Sequence, residues 1–370
     1  MKQGWEIKRL GEVCSITMGQ SPSSDTYNDS EGLPFFQGNA DFGKIHPSIR
    51  VYCNAPIRIA DVDDILISVR APIGAINIAD CKCCIGRGLA SIRNNAEVAN
   101  EYIYHALIAN KEKLIAQGTG STFKSIGKEA LKELSIPIPP REEQERIVAE
   151  LDCLSGVIER KREQLRELDA LAQSIFYQMF GDPITNEKGF PVYQIDDIIT
   201  FQGGSQPDKS HFEYEPTDDN IRLIQIRDYK SDKNITYIPK SLARRLCNAE
   251  DIMIGRYGPP IFQILKGIEG AYNVALMKAI PKQGNREFIR AFLKQKCLLE
   301  YLESMSKRTA GQDGIQMDKL KAYPFPLPPI ELQEEFADKI ALIEKQQELI
   351  KKSIAQTEEL FNSRMAYYFS

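Results

Sequence analysis

Histidine is scarce: only His46, His105 and His211 occur in 370 residues, and they are scattered. That leaves no local histidine pattern for acid–base or metal chemistry. No uninterrupted apolar run approaches the ~18 residues that a membrane span needs. The opening MKQGWEIKRLGEV has no apolar core, so a secretion signal is not expected there. No GxxxxGK[ST] phosphate loop is present, and Gly118-Thr119-Gly120-Ser121-Thr122 lacks the lysine that would grip a phosphate. NPPY- and DPPY-type tetrapeptides and FxGxG runs are missing, which argues against a methyltransferase; Tyr257-Gly258-Pro259-Pro260 is a superficial echo. Asp208-Lys209 lacks a second acidic residue at nuclease spacing. No catalytic residue and no cofactor is therefore expected.

Eight cysteines are present, and without a signal segment they read as reduced thiols of a cytoplasmic protein. Cys81 and Cys84 form a CxxC with Cys83 between them, and Cys53 could join only through folding. Zinc needs four ligands and no second pair stands at finger spacing, so the expectation is no metal. AINIADCKCCI reads instead as a buried β-run in which cysteine acts as a small hydrophobe.

What the chain does have is a repeat. IPIPPREEQERIVAELDCL at residue 136 and FPLPPIELQEEFADKIALI at residue 325 spell one junction twice, 189 positions apart. Pro137, Pro139, Pro140, Glu142, Gln144 and Glu145 match Pro326, Pro328, Pro329, Glu331, Gln333 and Glu334 without a gap. Apolar positions then recur at alternating spacings of three and four: Ile147, Leu151, Leu154, Ile158, Leu165, Leu168, Ala172, Ile175 and Met179 in the first copy. Phe336, Ile340, Ile343, Ile350, Ile354 and Phe361 keep that register in the second, a heptad seam. Each copy predicts a helix of ~40 residues, ~60 Å long, starting after Pro-Pro with Glu in its first turn. The first is expected to stop at Gly181. A helix of this kind cannot bury its stripe alone, and the obvious partner is its own copy. Lys161, Gln347, Thr357 and Arg364 interrupt the seam, as candidate register pins or as marks of where the seam meets another subunit.

Fainter echoes extend the repeat. WEIKRLGEVCSITMGQSP parallels FPVYQIDDIITFQGGSQP, DILISVRAP parallels DIMIGRYGPP, and FFQGNADF parallels LIQIRDY through Gln37 and Gln225. The chain thus reads as two half-molecules, each an α+β globular domain followed by one long helix. Short β-branched runs alternate with turns, and helical stretches near 97–116 and 286–306 precede each Pro-Pro junction.

The net charge of −4 argues on its face against a polyanion partner, but its distribution does not. Residues 1–135 are neutral and residues 184–324 carry +3, whereas 136–183 carry −4 and 325–370 carry −3. Polar loops recur in both globular parts. The first offers Ser21, Ser23, Ser24, Tyr27, Gln37, Asn39, Arg70, Arg87, Ser121, Thr122 and Lys124. The second offers Gln206, Lys209, Arg227, Tyr229, Lys230, Arg256, Tyr257, Lys307 and Gln312. Arg, Asn, Gln and hydroxyls read base edges while Lys holds phosphates, so these are the candidate DNA-binding residues.

Two variable domains separated by IPIPPREEQERIVAELD…LRELDALAQSIFYQMFGDP, with a second helical copy at the end, resemble the specificity subunit of type I restriction–modification systems. TGSTFKSI…LKELSIPIPPREEQERI and SIFYQMFGDP carry the resemblance most specifically, and the second copy departs from it by lacking the GDP ending. The resemblance implies target recognition domains at 1–138 and 184–327, helical spacers at 139–183 and 328–370, and an antiparallel coiled coil. It further implies a non-catalytic subunit in which each domain reads half of a bipartite duplex target. Two methyltransferase subunits and the restriction subunits would be the partners, and no membrane is involved. The competing expectation is an assembly scaffold whose DNA binding depends on the methyltransferase subunits.

Overall fold

The computed structural model describes residues 4–119, 125–257, 261–306 and 315–370. The chain divides into two units, 1–163 with 351–370 and 164–350. Each unit therefore contains one globular domain and one half of each long helix.

The helices follow the repeat. They span Arg141–Phe180 and Ile330–Phe369, so their starts and their ends both lie 189 positions apart. Gly181 adopts φ of 74°, in the left-handed region that favours glycine, and its N–H reaches Tyr177 O at 2.8 Å, closing the first helix. In the first unit the two helix halves run antiparallel. Lys161 Nζ donates to Ser353 Oγ (2.6 Å) and Thr357 Oγ1 (3.1 Å), and Arg162 pairs with Glu358 at 2.7 Å. Glu150 meets Arg364 at 2.7 Å and accepts from Tyr368 Oη at 2.6 Å. In the second unit Gln347 Nε2 donates to Asp169 Oδ1 at 2.7 Å, again antiparallel. All four polar interruptions of the seam thus bond across it, and each pairing is satisfied at one register only.

The repeated glutamine of the Pro-Pro junction has a structural job in each unit. Gln144 and Gln333 are both 1% exposed. Gln144 donates to Pro139 O (2.9 Å) and accepts from Ala99 N–H (2.8 Å); Gln333 donates to Pro328 O (2.6 Å) and accepts from Asn285 N–H (2.7 Å). A carbonyl left without a helical donor and an N–H at the start of an earlier helix are satisfied by one buried amide.

Each domain is built from a four-stranded antiparallel sheet and a second sheet, of five strands in the first domain and four in the second. In the first, a four-stranded antiparallel sheet runs Cys14–Met18, Leu89–Asn94, Ile65–Ser68, Ile76–Ile78. A second sheet runs Tyr27–Asn28, Tyr52–Cys53, Leu33–Phe36, Cys83–Ile85, Ile59–Ala60. The second domain has Ile199–Gly203, Leu276–Pro281, Ile252–Gly255, Gln263–Lys266 in one sheet. Its other sheet runs Tyr237–Pro239, Asn220–Ile224, Gly270–Tyr272, Leu246–Cys247. Each second sheet contains one parallel step, Phe35 beside Cys84 in the first unit and Leu223 beside Ala271 in the second. Strands Glu6–Arg9 and Ser135–Ile138 pair at the exit of the first domain, as Val192–Gln194 and Pro324–Pro326 do in the second.

The core of the first unit is closed by the end of the second helix, where Met365, Tyr368 and Phe369 join Leu10, Tyr102, Ile147 and Leu151. The core of the second is closed by the end of the first helix, where Phe176 and Phe180 join Phe288, Phe325, Phe336 and Ile340. Cys83 and Cys84 are buried in the strand Cys83–Ile85, as the β-run reading expects, and burial pushes the Cys83 thiol up to about 12. No helix among the described residues is long and apolar enough to cross a membrane, and no group of three or more His, Cys, Asp or Glu among them could hold a metal.

Candidate nucleic-acid interface

Loops at the ends of the strands bring five of the candidate residues of the first unit together. Ser21, Gln37, Asn39, Arg70 and Arg87 line one cleft of about 200 Å³ with Gly38, Ser68, Ala71 and Gly88. Its lining holds two guanidinium groups and no carboxylate. Both arginines are exposed, and among the described residues neither guanidinium is held in an ion pair or side-chain hydrogen bond.

The backbone beneath the cleft is held tightly. Gln37 and Gly38 N–H groups both donate to Asp41 Oδ2, at 2.7 and 3.3 Å, and Arg50 Nε bonds Asp41 Oδ1 at 3.0 Å. Ser21 Oγ accepts from Arg87 N–H at 3.2 Å. The Ser68 hydroxyl stands 2.9 Å from Arg70 O and 2.8 Å from Pro72 O. Gly88 permits a close approach, because a Cβ there would lie 2.4 Å from Gln37 O. Ser23 and Ser24 stay exposed in the turn that follows Ser21. Tyr27 faces inward instead: its hydroxyl donates to Pro22 O at 2.9 Å, its ring lies 4.8 Å from Phe35, and burial raises its pKa.

Ser121, Thr122 and Lys124 lie outside the described residues. The residues flanking them pair with each other, Thr119 N to Ser125 O at 3.0 Å and Ser125 N to Thr119 O at 2.9 Å, and Ser125 bridges to Arg70.

The second unit repeats the backbone with other side chains. Gly19 N–H to Leu89 O (2.9 Å) is matched by Gly204 N–H to Leu276 O (3.0 Å). Gly86 N–H to Phe36 O (2.8 Å) is matched by Asn273 N–H to Ile224 O (3.0 Å), and Val69 N–H to Gly88 O by Arg256 N–H to Ala275 O, both 2.9 Å. Gln37 N–H to Asp41 has its counterpart in Gln225 N–H to Asp228 Oδ2 at 3.0 Å. This register places Gln206 where the first unit has Ser21, Gln225 where it has Gln37, Tyr257 where it has Arg70, and Val274 where it has Arg87.

Gln206 Oε1 accepts from Asn273 Nδ2 at 3.5 Å. Arg256 reaches Val274 O at 3.5 Å and lies 5.3 Å from the centre of the Tyr257 ring. Arg227 donates to Thr236 Oγ1 at 3.0 Å, as Gln225 does at 3.1 Å. Lys209 and Lys230 are exposed. Tyr229 departs from the expected loop position. It packs against Ile224, Cys247 and Met253, its hydroxyl is buried with no partner among the described residues, and burial raises its pKa. The short 3-10 turn Ile226–Tyr229 rotates it inward, beside the buried Asp228 whose pKa burial also raises. Lys307 and Gln312 lie outside the described residues.

Val274 and Gly88 escape a reading by residue type because neither is polar, and Gln225 and Asn273 were not among the candidates. Carrying the repeat register from DILIS and DIMIG through to Gly86-Arg87-Gly88 and Asn273-Val274-Ala275 would have found them. Chemically, both rims present donors and acceptors of the kinds that contact base edges and phosphates.

The model of the type I restriction modification DNA specificity domain matches residues 2–170 and again 187–359. The putative type I restriction enzyme MjaX specificity subunit of Methanocaldococcus jannaschii is 44% identical over 177 residues, covering 47% of this chain and 42% of the relative. The EcoKI specificity subunit of Escherichia coli is 20% identical over 416 residues, covering 100% and 89%. The chain spans 42% and 55% of the lengths of two of the Methanocaldococcus jannaschii relatives it matches, about half of each. The fold is that of the type I restriction–modification S subunit from M. genitalium, with a TM-score of 0.59 at 15% identity over 99% of this chain and 96% of the other. With one copy of the matched domain in each half, the chain belongs to the type I restriction modification DNA specificity family.

Proposed function

We propose that this chain is the non-catalytic DNA-recognition subunit of a cytoplasmic type I restriction–modification complex. Residues 1–138 and 184–327 read the two halves of a bipartite duplex target, and the helical segments 139–183 and 328–370 fix the spacer between them. Methyl transfer and cleavage belong to partners, two methyltransferase subunits and the restriction subunits. One observation carries this reading: the same hydrogen-bonded cleft backbone recurs in both units with unlike side chains on its rim. A single chain with two such rims can read two different words, which a symmetric dimer of one domain cannot.

The test is to map the methylated motif in DNA exposed to this chain with its modification subunits. A two-part motif with a fixed spacer is expected, and Arg70→Ala should relax one part only. Inserting one helical turn in either long helix should lengthen the tolerated spacer; an unchanged spacer would refute the spacing role. Because the first domain is electrically neutral, a scaffold whose DNA binding appears only with its methyltransferase subunits is the competing reading. Salt-dependent binding of the isolated chain to random duplex favours direct recognition, and no binding favours the scaffold.

A further inference from the structure

The two rims can be compared position by position, because their shared backbone hydrogen bonds set the register. At the first position a hydroxyl (Ser21) in the first unit corresponds to an amide (Gln206) in the second, and at the second both units carry an amide, Gln37 and Gln225. At the other two the chemistry changes class. The first unit has Arg70 and Arg87; the second has Tyr257 and Val274, which are 46% and 47% exposed. The remaining cation of the second rim, Arg256, is only half-exposed and lies against Val274 O and the Tyr257 ring.

Resting on the recognition reading above, we propose that these four positions determine specificity in both domains. The part of the target read by the first domain contains a G·C pair selected by Arg70 or Arg87. The part read by the second contains an A·T pair met by Tyr257 and Val274. A guanidinium matches the two acceptors, O6 and N7, that guanine presents in the major groove, and an exposed apolar group matches the methyl of thymine. Three features support assigning Arg70 and Arg87 to bases. Both are exposed and, among the described residues, free of carboxylate partners, and both line the same cleft as the amides Gln37 and Asn39. Both also stand on backbone fixed from beneath, by Ser68 and by Ser21. A guanidinium on a fixed loop loses less freedom on binding than one on a free tail.

The experiment selects sequences from a duplex library with two randomised segments and a variable spacer, using the full chain with its modification subunits. It compares the natural chain with Arg70→Ala, Arg87→Ala and Tyr257→Ala. Arg70→Ala or Arg87→Ala should reduce the preference for one G·C pair in one segment by about 5- to 100-fold and leave the other segment unchanged. Tyr257→Ala should weaken an A·T preference in the other segment alone. The inference is overturned if a two-part motif persists unchanged in these variants. It is also overturned if both arginine variants weaken all sequences alike, the behaviour of phosphate contacts, or if the pair relaxed by them is A·T. Absence of any sequence preference in the natural chain would instead overturn the recognition reading itself.

Discussion

The two rims share a backbone and differ in what their arginines are free to do. In the first, Arg70 and Arg87 project from loops anchored by backbone hydrogen bonds to Phe36, Ser68 and Ser21, and among the described residues neither guanidinium is spent on the protein. In the second, Arg256 leans on a carbonyl and an aromatic ring, and Arg227 and Gln225 both bond the buried hydroxyl of Thr236. The difference shows how such a scaffold diversifies. Buried N–H and C=O groups must be satisfied whatever the side chains are, so the hydrogen-bond frame is kept. Rim side chains answer to solvent and ligand, and they can change class at no cost to the core.

The comparison is broken most directly through the helix ends. Phe369→Ala should destabilise the first unit and Phe180→Ala the second, each by about 3–5 kcal/mol, because each ring is a buried part of that unit's core. Hydrogen exchange resolved along the chain would show protection lost in the named unit first; loss in the other unit would refute the assignment. Gln144→Ala and Gln333→Ala should each cost about 1–3 kcal/mol by leaving buried backbone groups without partners, with equal effects on the two units in denaturant titrations.

A smaller asymmetry is expected with pH. Burial alone would raise the Glu344 pKa, but hydrogen bonds from Lys266 and Arg290 outweigh it and hold the carboxyl below its ordinary value. A carboxylate depressed in the folded state contributes stability above its unfolded pKa and loses it as pH falls through its folded value. Ser155 occupies the matching position of the first helix, so this component belongs to the second unit alone. Thermal melts should show Glu344→Gln losing stability at neutral pH and converging with the natural chain in acid. The smallest effect is expected of Lys230→Ala, which should weaken DNA binding evenly across sequences and reduce the salt slope by about one contact's worth.

Much of the architecture was legible in the sequence because it rests on periodicity and local chemistry. The gapless match at 189 residues located both helices, and both begin and end at matching positions. The seam interruptions Lys161, Gln347, Thr357 and Arg364 announced register pins because a polar group on an apolar stripe must find a partner. The strand runs Ile65–Ser68 and Ile252–Gly255 were visible as β-branched text. Among the site residues, Ser21, Gln37, Asn39, Arg70 and Arg87 were chosen by type, and the fold gathers them into one cleft. Tyr229 was read as a rim residue because Arg-Asp-Tyr-Lys looks like a solvated loop, whereas a tight turn takes Asp228 and Tyr229 inward and leaves Arg227 and Lys230 exposed.

The sequence by itself determined that there are two alike helices and two unlike domains, since helix period, Pro-Pro starts and terminating glycine act within a few residues. Only the tertiary structure decided which surfaces the helix ends seal. Met365, Tyr368 and Phe369 close the core of the unit that holds the first domain, and Phe176 and Phe180 close that of the second. Apolar side chains at a helix end state that they must be buried, but burial is non-directional and names no partner. The same holds for the cleft, where residues far apart along the chain meet because strand pairing sets their loops side by side.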